Sequence, residues 1–562
     1  MSKLVKETEA ILRNKICEAI SLAIADGELA DAQIPDFIIE VPANKANGDY
    51  SSNAAMAGAR AFKKAPAMIA QSIVSHINLD DTLFERVEIA GPGFLNFFLS
   101  QKYYSEILKD VFACGDDYGK SDYGQNKRML VEFVSANPTG PMHIGNARGG
   151  AIGDCLASVL DWAGYDVSRE FYINDAGNQI EKFATSLEVR YLQHFDGTVE
   201  MPEDAYHGAD ITAHAEGFIA EYGDKYVEAD SAERRKALVD YALPKNIAGL
   251  ENDLGRYRIK YDNWFKESSL HNDGSVNKVI EALKEKGATY ELDGALWFKA
   301  SEYGNDKDIV LIRSNGLPTY IVPDIAYHYN KLVTRGFDTA IDVLGADHHG
   351  YVPRMKAALT ALGLDASRLD VVIMQMVRLV RNGETIKLSK RSGKAITLNT
   401  LIDEIPLDAA RFFFNLREPN SHFDFDLELA AKKSSENPVY YVQYAHARIC
   451  SIIKKAEQEG FEPRTPSDEE LLLLNSSEEK ELIRHLSSLT GEIISAAKTY
   501  DPAKITHYVV ELATLFHKFY NANRVMVDDE GLMQARLYLC RAVKDTIKNI
   551  LTMLKITAPT VM

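Results

Sequence analysis

Apolar residues fall into three successive patterns along the 562-residue chain. In the first, they recur at helical spacing over residues 5–25 (Ile11, Ile16, Ala19, Ile20, Ala23), which predicts an amphipathic helix. Strand-like runs follow at Phe37–Val41, Arg86–Ile89 and Phe94–Leu99, the last two joined by the turn Gly91-Pro92-Gly93. From about residue 128 the runs become short and continuous. Met129–Val134 reads as a buried parallel strand, followed by the Pro/Gly loop Asn137–Pro141. Ile152, Leu156, Val159 and Leu160 then line one face of a helix that Gly164 closes as a C-cap, and Val167–Ile173 reads as the next strand. This β-loop-α-β unit predicts the start of a doubly wound, nucleotide-binding sheet.

An excursion rich in Ala, Glu and Asp occupies about 181–300. The sheet pattern returns at Ile309–Arg313, Thr339–Leu344 and Asp370–Met374. Val377–Arg381 and Glu384–Leu388 flank Asn382-Gly383, a strong hairpin signal. Beyond about 430 the spacing is helical throughout, at Val439–Glu457, Leu471–Leu486, Ser488–Thr499, Ala503–Asn523 and Gln534–Leu554. The expected fold class is α/β multidomain. An α+β N-terminal domain (1–112) precedes a Rossmann-like parallel-sheet domain (113–430, with the insertion at about 181–300) and an all-α C-terminal domain (431–562). A chain this long calls for about two to four cores.

Composition narrows the setting. Hydrophobic residues at 46% and charged residues at 26% are ordinary for a globular protein. No apolar run approaches the ~18 residues that would span a bilayer, and the N-terminus lacks a signal-peptide core. No membrane role is therefore expected. Cys17, Cys114, Cys155, Cys450 and Cys540 are scattered without a C-x-x-C pair, which fits a reducing cytoplasm and points to neither a zinc knuckle nor a disulfide framework. The net charge of −18 argues against nucleic acid only weakly, because phosphate contacts need a local basic surface alone. Arg378, Arg381, Lys387, Lys390, Arg391 and Lys394 cluster in one stretch against a single Glu384, either as such a surface or as a solvated hairpin.

Two segments carry chemistry. His143-Ile144-Gly145-Asn146 sits at the first turn of a helix, where free N–H groups and the positive dipole end suit phosphate. Gly145, Gly149, Gly150 and Gly153 keep that turn slim, whether for a ligand or for a neighbouring strand. Lys387-Leu388-Ser389-Lys390-Arg391 follows the hairpin directly, and can be a basic surface loop or a carrier of ammonium groups onto a polyphosphate.

Together, in this order and on this sheet, the two segments resemble the HIGH and KMSK signatures of class I aminoacyl-tRNA synthetases. Wording along the whole chain resembles the bacterial-type arginyl members. The matching stretches are Asn47–Asn53, Val131–Gly140, Tyr172–Gln179, Gly345–Arg354, Asp408–Phe414 and Tyr440–Arg448. The resemblance implies ATP-dependent activation of L-arginine and its transfer to tRNA(Arg). It also implies Mg²⁺ travelling with ATP, a monomer, and arginine activation that needs the tRNA present. It assigns His143, Lys387 and Lys390 to catalysis, and Gly145, Asn146 and Ser389 with them to ATP. It assigns Asp324 and Glu267 to the substrate guanidinium, Tyr320 beside it, and Glu132, Asn137 and His348 to the α-amino and α-carboxylate ends. A planar cation with five donors is naturally read by carboxylates. On residues alone, Tyr320 and Asp324 could equally be a loop pair.

Asn146 departs from the signature's last histidine and cannot become cationic, while Leu388 replaces methionine at similar size. The N-terminal domain resembles the one that touches the outer corner of tRNA, and the helical domain resembles an anticodon-binding domain. Tyr440, Tyr441 and Tyr444 fit base stacking or plain helix packing, with packing expected of at least one. A cysteine-specific relative would need a zinc-thiolate site that the scattered cysteines do not offer. An RNA-binding relative without catalysis would have no need of His143, Lys387, Lys390, Tyr320 and Asp324. A general nucleotidylyltransferase would have no use for the helical tail.

Overall fold

Where apolar runs are short and bounded by turns, parallel strands need helical crossovers, and the chain builds them around residue 130. The computed structural model describes residues 3–42, 44–386 and 396–562. Its central sheet comprises β1 (Arg128–Phe133), β2 (Asp166–Ile173), β3 (Asn263–Lys266), β4 (Thr339–Gly345) and β5 (Leu369–Met374), in the order β5-β4-β1-β2-β3 and all parallel. Helix α1 (Ile144–Trp162) crosses from β1 to β2, and α2 (Ile321–Tyr329) precedes β4. The chain leaves β1 toward β2 and later returns on the other side at β4. The crevice beyond the carboxyl ends of β1 and β4 is therefore the topological switch point, where such sheets bind ligands.

Glycine lets α1 press onto β1. A Cβ on Gly153 would lie 2.2 Å from the Phe133 ring, so the helix can seat this deep only without one. Ahead of the sheet, helix Lys3–Ala25 packs on helix Pro66–His76, which lies against a four-stranded sheet ordered Ile39–Glu40, Tyr50–Ser52, Phe94–Leu99, Phe84–Ala90. Behind it, from Pro438, long helices run to Met553. Among the described residues no helix is long and apolar enough to cross a membrane.

Three readings of the sequence need correction. Strand β3 lies inside the 181–300 excursion; at four residues, Asn-Trp-Phe-Lys, it is too short to stand out between helices. Ile309–Ile312 does not join the central sheet. It pairs antiparallel with Ala295–Phe298, which forms a hairpin with Thr289–Leu292 through Asp293-Gly294, both at positive φ. An apolar run reveals neither its partner nor its direction. The predicted helix Leu471–Leu486 is two helices, Asp468–Leu471 and Ser477–Ser487. Ser476 starts the second, its hydroxyl accepting from Glu479 N–H while the Glu479 carboxylate accepts from Ser476 N–H. The Asn382-Gly383 turn forms as predicted, and Phe423–Asp426 adds an unforeseen parallel partner to its first strand.

Substituting Gly153→Ala forces a methyl into the Phe133 ring, and we expect a loss of about 1–3 kcal/mol in stability, read from the urea unfolding midpoint. An unchanged midpoint would show that α1 can withdraw from the sheet freely.

Candidate active site

The parallel register places three acids in one row across the sheet. Asp342 of β4 is opposite Glu132 of β1, which is opposite Glu170 of β2. Neighbouring strands lie about 4.8 Å apart and residues in register share a face, so three carboxylates stand side by side in the interior. All three are buried. One face of α2 and the π-helical turn that continues it answers them. Asp324, His328, Lys331 and Arg335 follow at spacings of four, three and four, which keeps them on one side of the helix. Lys331, wholly buried, donates to Glu132 Oε2 at 2.5 Å and to Asp342 Oδ1 at 2.8 Å. Arg335 clamps Glu170 with two hydrogen bonds of 2.5 and 2.7 Å, joined by the Tyr327 hydroxyl at 2.6 Å. Burial pushes the Glu170 carboxyl up, but Arg335 outweighs it and holds the group below the usual carboxylate range. His328 faces Asp342 Oδ2 through Nε2 and the Asp324 carbonyl through Nδ1, both at 2.8 Å.

Asp324 is left as the exception. Among the described residues no ion pair reaches it. Burial, reinforced by Glu267, Glu132 and Asp342 and only partly offset by His328, pushes its carboxyl up to about 7. Glu267 opens the short helix after β3; burial raises it as well, against His271 at 3.5 Å. The Asn174 amide, oriented to satisfy both its ends, donates to Glu267 at 3.2 Å. The buried Tyr172 hydroxyl faces these two acids without forming a proper hydrogen bond. Glu132 and Glu267 thus lie close enough to Asp324 to oppose its charge, and among the described residues Asp324 alone of the three lacks an ion-pair partner. Tyr320, the residue before α2, is 56% exposed at its mouth, with the Arg313 guanidinium 6.0 Å from its ring. Asn137 and His348 are exposed in the loops leaving β1 and β4, on either side of the switch point.

Leaving β1, the backbone turns through Val134 and Ser135 at φ +69° and +39°. Positive φ is costly for a β-branched residue and persists only where its surroundings enforce it. The result aims the Ser135 hydroxyl at Glu132 Oε1 (2.8 Å) while it accepts from Tyr172 N–H (3.1 Å). Both Glu132 oxygens are therefore engaged.

His143 is the N-cap of α1. Its Nδ1 accepts from Gly145 N–H at 3.1 Å. Asn146 Oδ1 accepts from His143 N–H at 3.0 Å and closes a reciprocal cap. The residues after the KMSK-like segment are tied to the same loop, with Leu398 N–H donating to the Met142 carbonyl (2.9 Å) and Thr397 bridging His143. Lys387, Ser389 and Lys390 lie outside the described residues. Of the basic cluster, Arg378 and Arg381 are already ion-paired, to Asp424 and Glu404.

Comparison with known proteins places these features. Residues 108–450 match the family model "tRNA synthetases class I (R), catalytic domain". Residues 10–99 match "Arginyl tRNA synthetase N terminal domain", and 442–562 match "DALR anticodon binding domain". The chain belongs to the arginyl-tRNA synthetase family. It is 54% identical over 559 residues to the arginine–tRNA ligase of Caldanaerobacter subterraneus subsp. tengcongensis and 51% identical over 561 to that of Acetivibrio thermocellus, covering 100% of both chains in each case. The arginyl-tRNA synthetase of Thermus thermophilus shares the fold, with a TM-score of 0.72 at 23% identity over 97% of this chain and 99% of that one.

Sequence reading singled out Glu132 and Asp324 but missed Asp342, Glu170, His328, Lys331 and Arg335. A signal was available. Glu132 and Asp342 interrupt largely apolar strands, and the polar residues of the α2 segment recur at helical spacing.

For Asn146 the cap geometry yields a discriminating substitution. Asn146→Asp retains the acceptor for His143 N–H, so folding stability should hold, while its charge opposes phosphate at the helix end. We expect the KM for ATP in arginine-dependent pyrophosphate exchange to rise about tenfold, the size of one unfavourable contact of about 1.4 kcal/mol. An unaltered KM would place ATP away from this turn.

Proposed function

We infer that the chain attaches L-arginine to tRNA(Arg) at the expense of ATP. The arginine carboxylate attacks the α-phosphorus; an O–P bond forms and the bond to pyrophosphate breaks. The 3′-terminal ribose hydroxyl of tRNA then attacks the adenylate's carbonyl, forming the ester and releasing AMP. A carboxylate nucleophile needs no general base. The observation that carries this reading is the pocket around Asp324, a cluster of acids awaiting a cation.

In this reading Asp324 and Glu267 hold the guanidinium, and Tyr320 lies against it. Glu132, Asn137 and His348 hold the α-amino and α-carboxylate ends, Glu132 through the capacity its oxygens retain beside Lys331 and Ser135. ATP lies over the start of α1, against His143, Gly145 and Asn146. Lys387, Ser389 and Lys390 hold its phosphates. Mg²⁺, when bound with ATP, would supply positive charge at the phosphates. Residues 1–112 contact the outer corner of the tRNA, 113–430 carry catalysis, and 431–562 read the anticodon region. There Tyr444 is exposed and ring-parallel to Tyr440, whereas Tyr441 packs against the helical core. The chain works as a cytoplasmic monomer; five free cysteines fit a reducing compartment.

The reading is tested by pyrophosphate exchange with arginine, run with and without tRNA. We expect exchange only when tRNA is present and arginyl-tRNA as product; failure to charge any tRNA would falsify it. Lys390→Ala should lower the exchange rate and spare the arginine KM. Asp324→Asn should raise the arginine KM about 30-fold or more, because an unpaired buried guanidinium costs about 2–5 kcal/mol.

The elevated Asp324 carboxyl adds a pH dependence. Arginine takes the ionised form, so affinity is complete above about 7 and declines as pH falls, approaching tenfold per unit. A flat arginine Kd between pH 5.5 and 8.5 would remove Asp324 from the guanidinium site.

A further inference from the structure

A row of three buried carboxylates is untenable without cations, and the structure supplies them unevenly. Glu170 has Arg335 to itself. Glu132 and Asp342 share a single ammonium, that of Lys331, which sits in their plane of register with no solvent exposure. Lys331 also lies 4.1 Å from the centre of the Tyr327 ring. It is seven residues beyond Asp324 on the same helical face, and the π-helical turn Asn330–Thr334 carries it. Such turns are uncommon and concentrate at functional sites. A lysine this deep is retained only for a reason, since a well-packed apolar residue often serves stability as well.

We propose that Lys331 is a positioning residue for arginine, whose buried ammonium fixes the charge of the pocket by neutralising Glu132 and Asp342 and so leaves Asp324 free to ionise for the guanidinium. This rests on Asp324 as the guanidinium partner. Lys331 itself touches no substrate atom. It acts through Glu132, whose other oxygen is held by Ser135 at the strained exit of β1, and through Asp342, which carries His328 and thereby the Asp324 carbonyl. The charged groups facing Lys331 are Glu132 on β1, Asp342 on β4 and Glu170 on β2. Those facing Asp324 are His328 on its own helix, Glu267 after β3, and Glu132 and Asp342 on the sheet. Removing the ammonium adds an uncompensated negative charge to a group that already resists ionising. Protons then move to higher pH, with a sign the geometry dictates.

Arginine Kd measured by calorimetry from pH 6 to 9.5 tests this in three variants. Lys331→Gln keeps two N–H donors for Glu132 and Asp342 but loses the charge, Lys331→Met loses both, and Lys331→Arg keeps the charge. The expected result is a midpoint near 7 in the unaltered chain and in Lys331→Arg. In Lys331→Gln and Lys331→Met the midpoint should rise by one unit or more, with arginine affinity recovering to within about threefold at pH 9.5 and the ATP KM unchanged in pyrophosphate exchange. A purely structural role predicts loss of affinity at every pH without recovery, and that outcome overturns the proposal, as does an unmoved midpoint in Lys331→Gln. Should the charge-removing variants fail to fold, proton release on arginine binding to the unaltered chain still decides. At most one proton per arginine is expected, and release of more than one shows that Lys331 does not hold its two acids ionised. Absence of any midpoint in the unaltered chain would instead refute Asp324 as the guanidinium partner.

Discussion

Three carboxylates in register across a parallel sheet repel one another at a spacing of about 4.8 Å, and the interior offers little screening. Everything near the switch point is arranged around that repulsion. Asp342, Glu132 and Glu170 oblige one helix to bring Lys331 and Arg335 to the sheet, so α2 cannot slide or rotate without exposing an acid. Fixing α2 also fixes Asp324 at its start, one turn from His328. The pocket is thus made by surplus. The row is neutralised where the protein needs rigidity, and Asp324 is left without an ion-pair partner among the described residues.

The opposite face of the sheet is held by different means. There α1 sits close because Gly153 has no side chain, and its buried polar residues tie it to distant parts of the chain. Arg148 donates to the carbonyls of Gln375, Glu418 and Ser421, which anchors the root of the 377–386 hairpin to the helix bearing His143. Burial without a carboxylate lowers its guanidinium to about 10. Asp154 pairs with Arg411, and Arg411 also donates to the carbonyls of Leu554 and Tyr257. Directly or through Arg411, one helix is therefore tied to the end of the C-terminal helix, to the end of helix Ser231–Arg256 within the excursion and to the hairpin. Removing any of these partners would strand a buried donor or acceptor, a larger loss than the bond itself is worth.

How much of this could be read from residues alone follows from the range of each interaction. The order of strands and helices, the Asn382-Gly383 turn and the helical tail were legible because they depend on local periodicity and turn chemistry. The pairing of Ile309–Ile312 was not, because an apolar run does not specify its neighbour. Asp324 and Glu267 were expected only through a resemblance to a family, and what keeps Asp324 from ionising is burial reinforced by Glu267, Glu132 and Asp342, the last two on strands about 210 residues apart in sequence and adjacent only in the sheet. Lys331 was invisible for the same cause. A lysine in a helix reads as surface until the strand opposite is known.

Asn146 brings the two faces together. Its departure from histidine looked like a loss at the ATP site, since asparagine cannot carry charge. In the structure the side chain has a task that requires an acceptor and no charge: it closes the cap on His143, whose own ring closes the cap on Gly145. The helix start can then offer an anion its backbone N–H groups and the remaining Asn146 amine. The hairpin rooted by Arg148 leads in sequence to Lys387 and Lys390, which would supply full positive charge. A helix end that holds ATP by dipoles and a separate element that brings the cations would divide binding from catalysis. Replacing an asparagine that is already committed to the cap by a charged residue would upset the first without supplying the second.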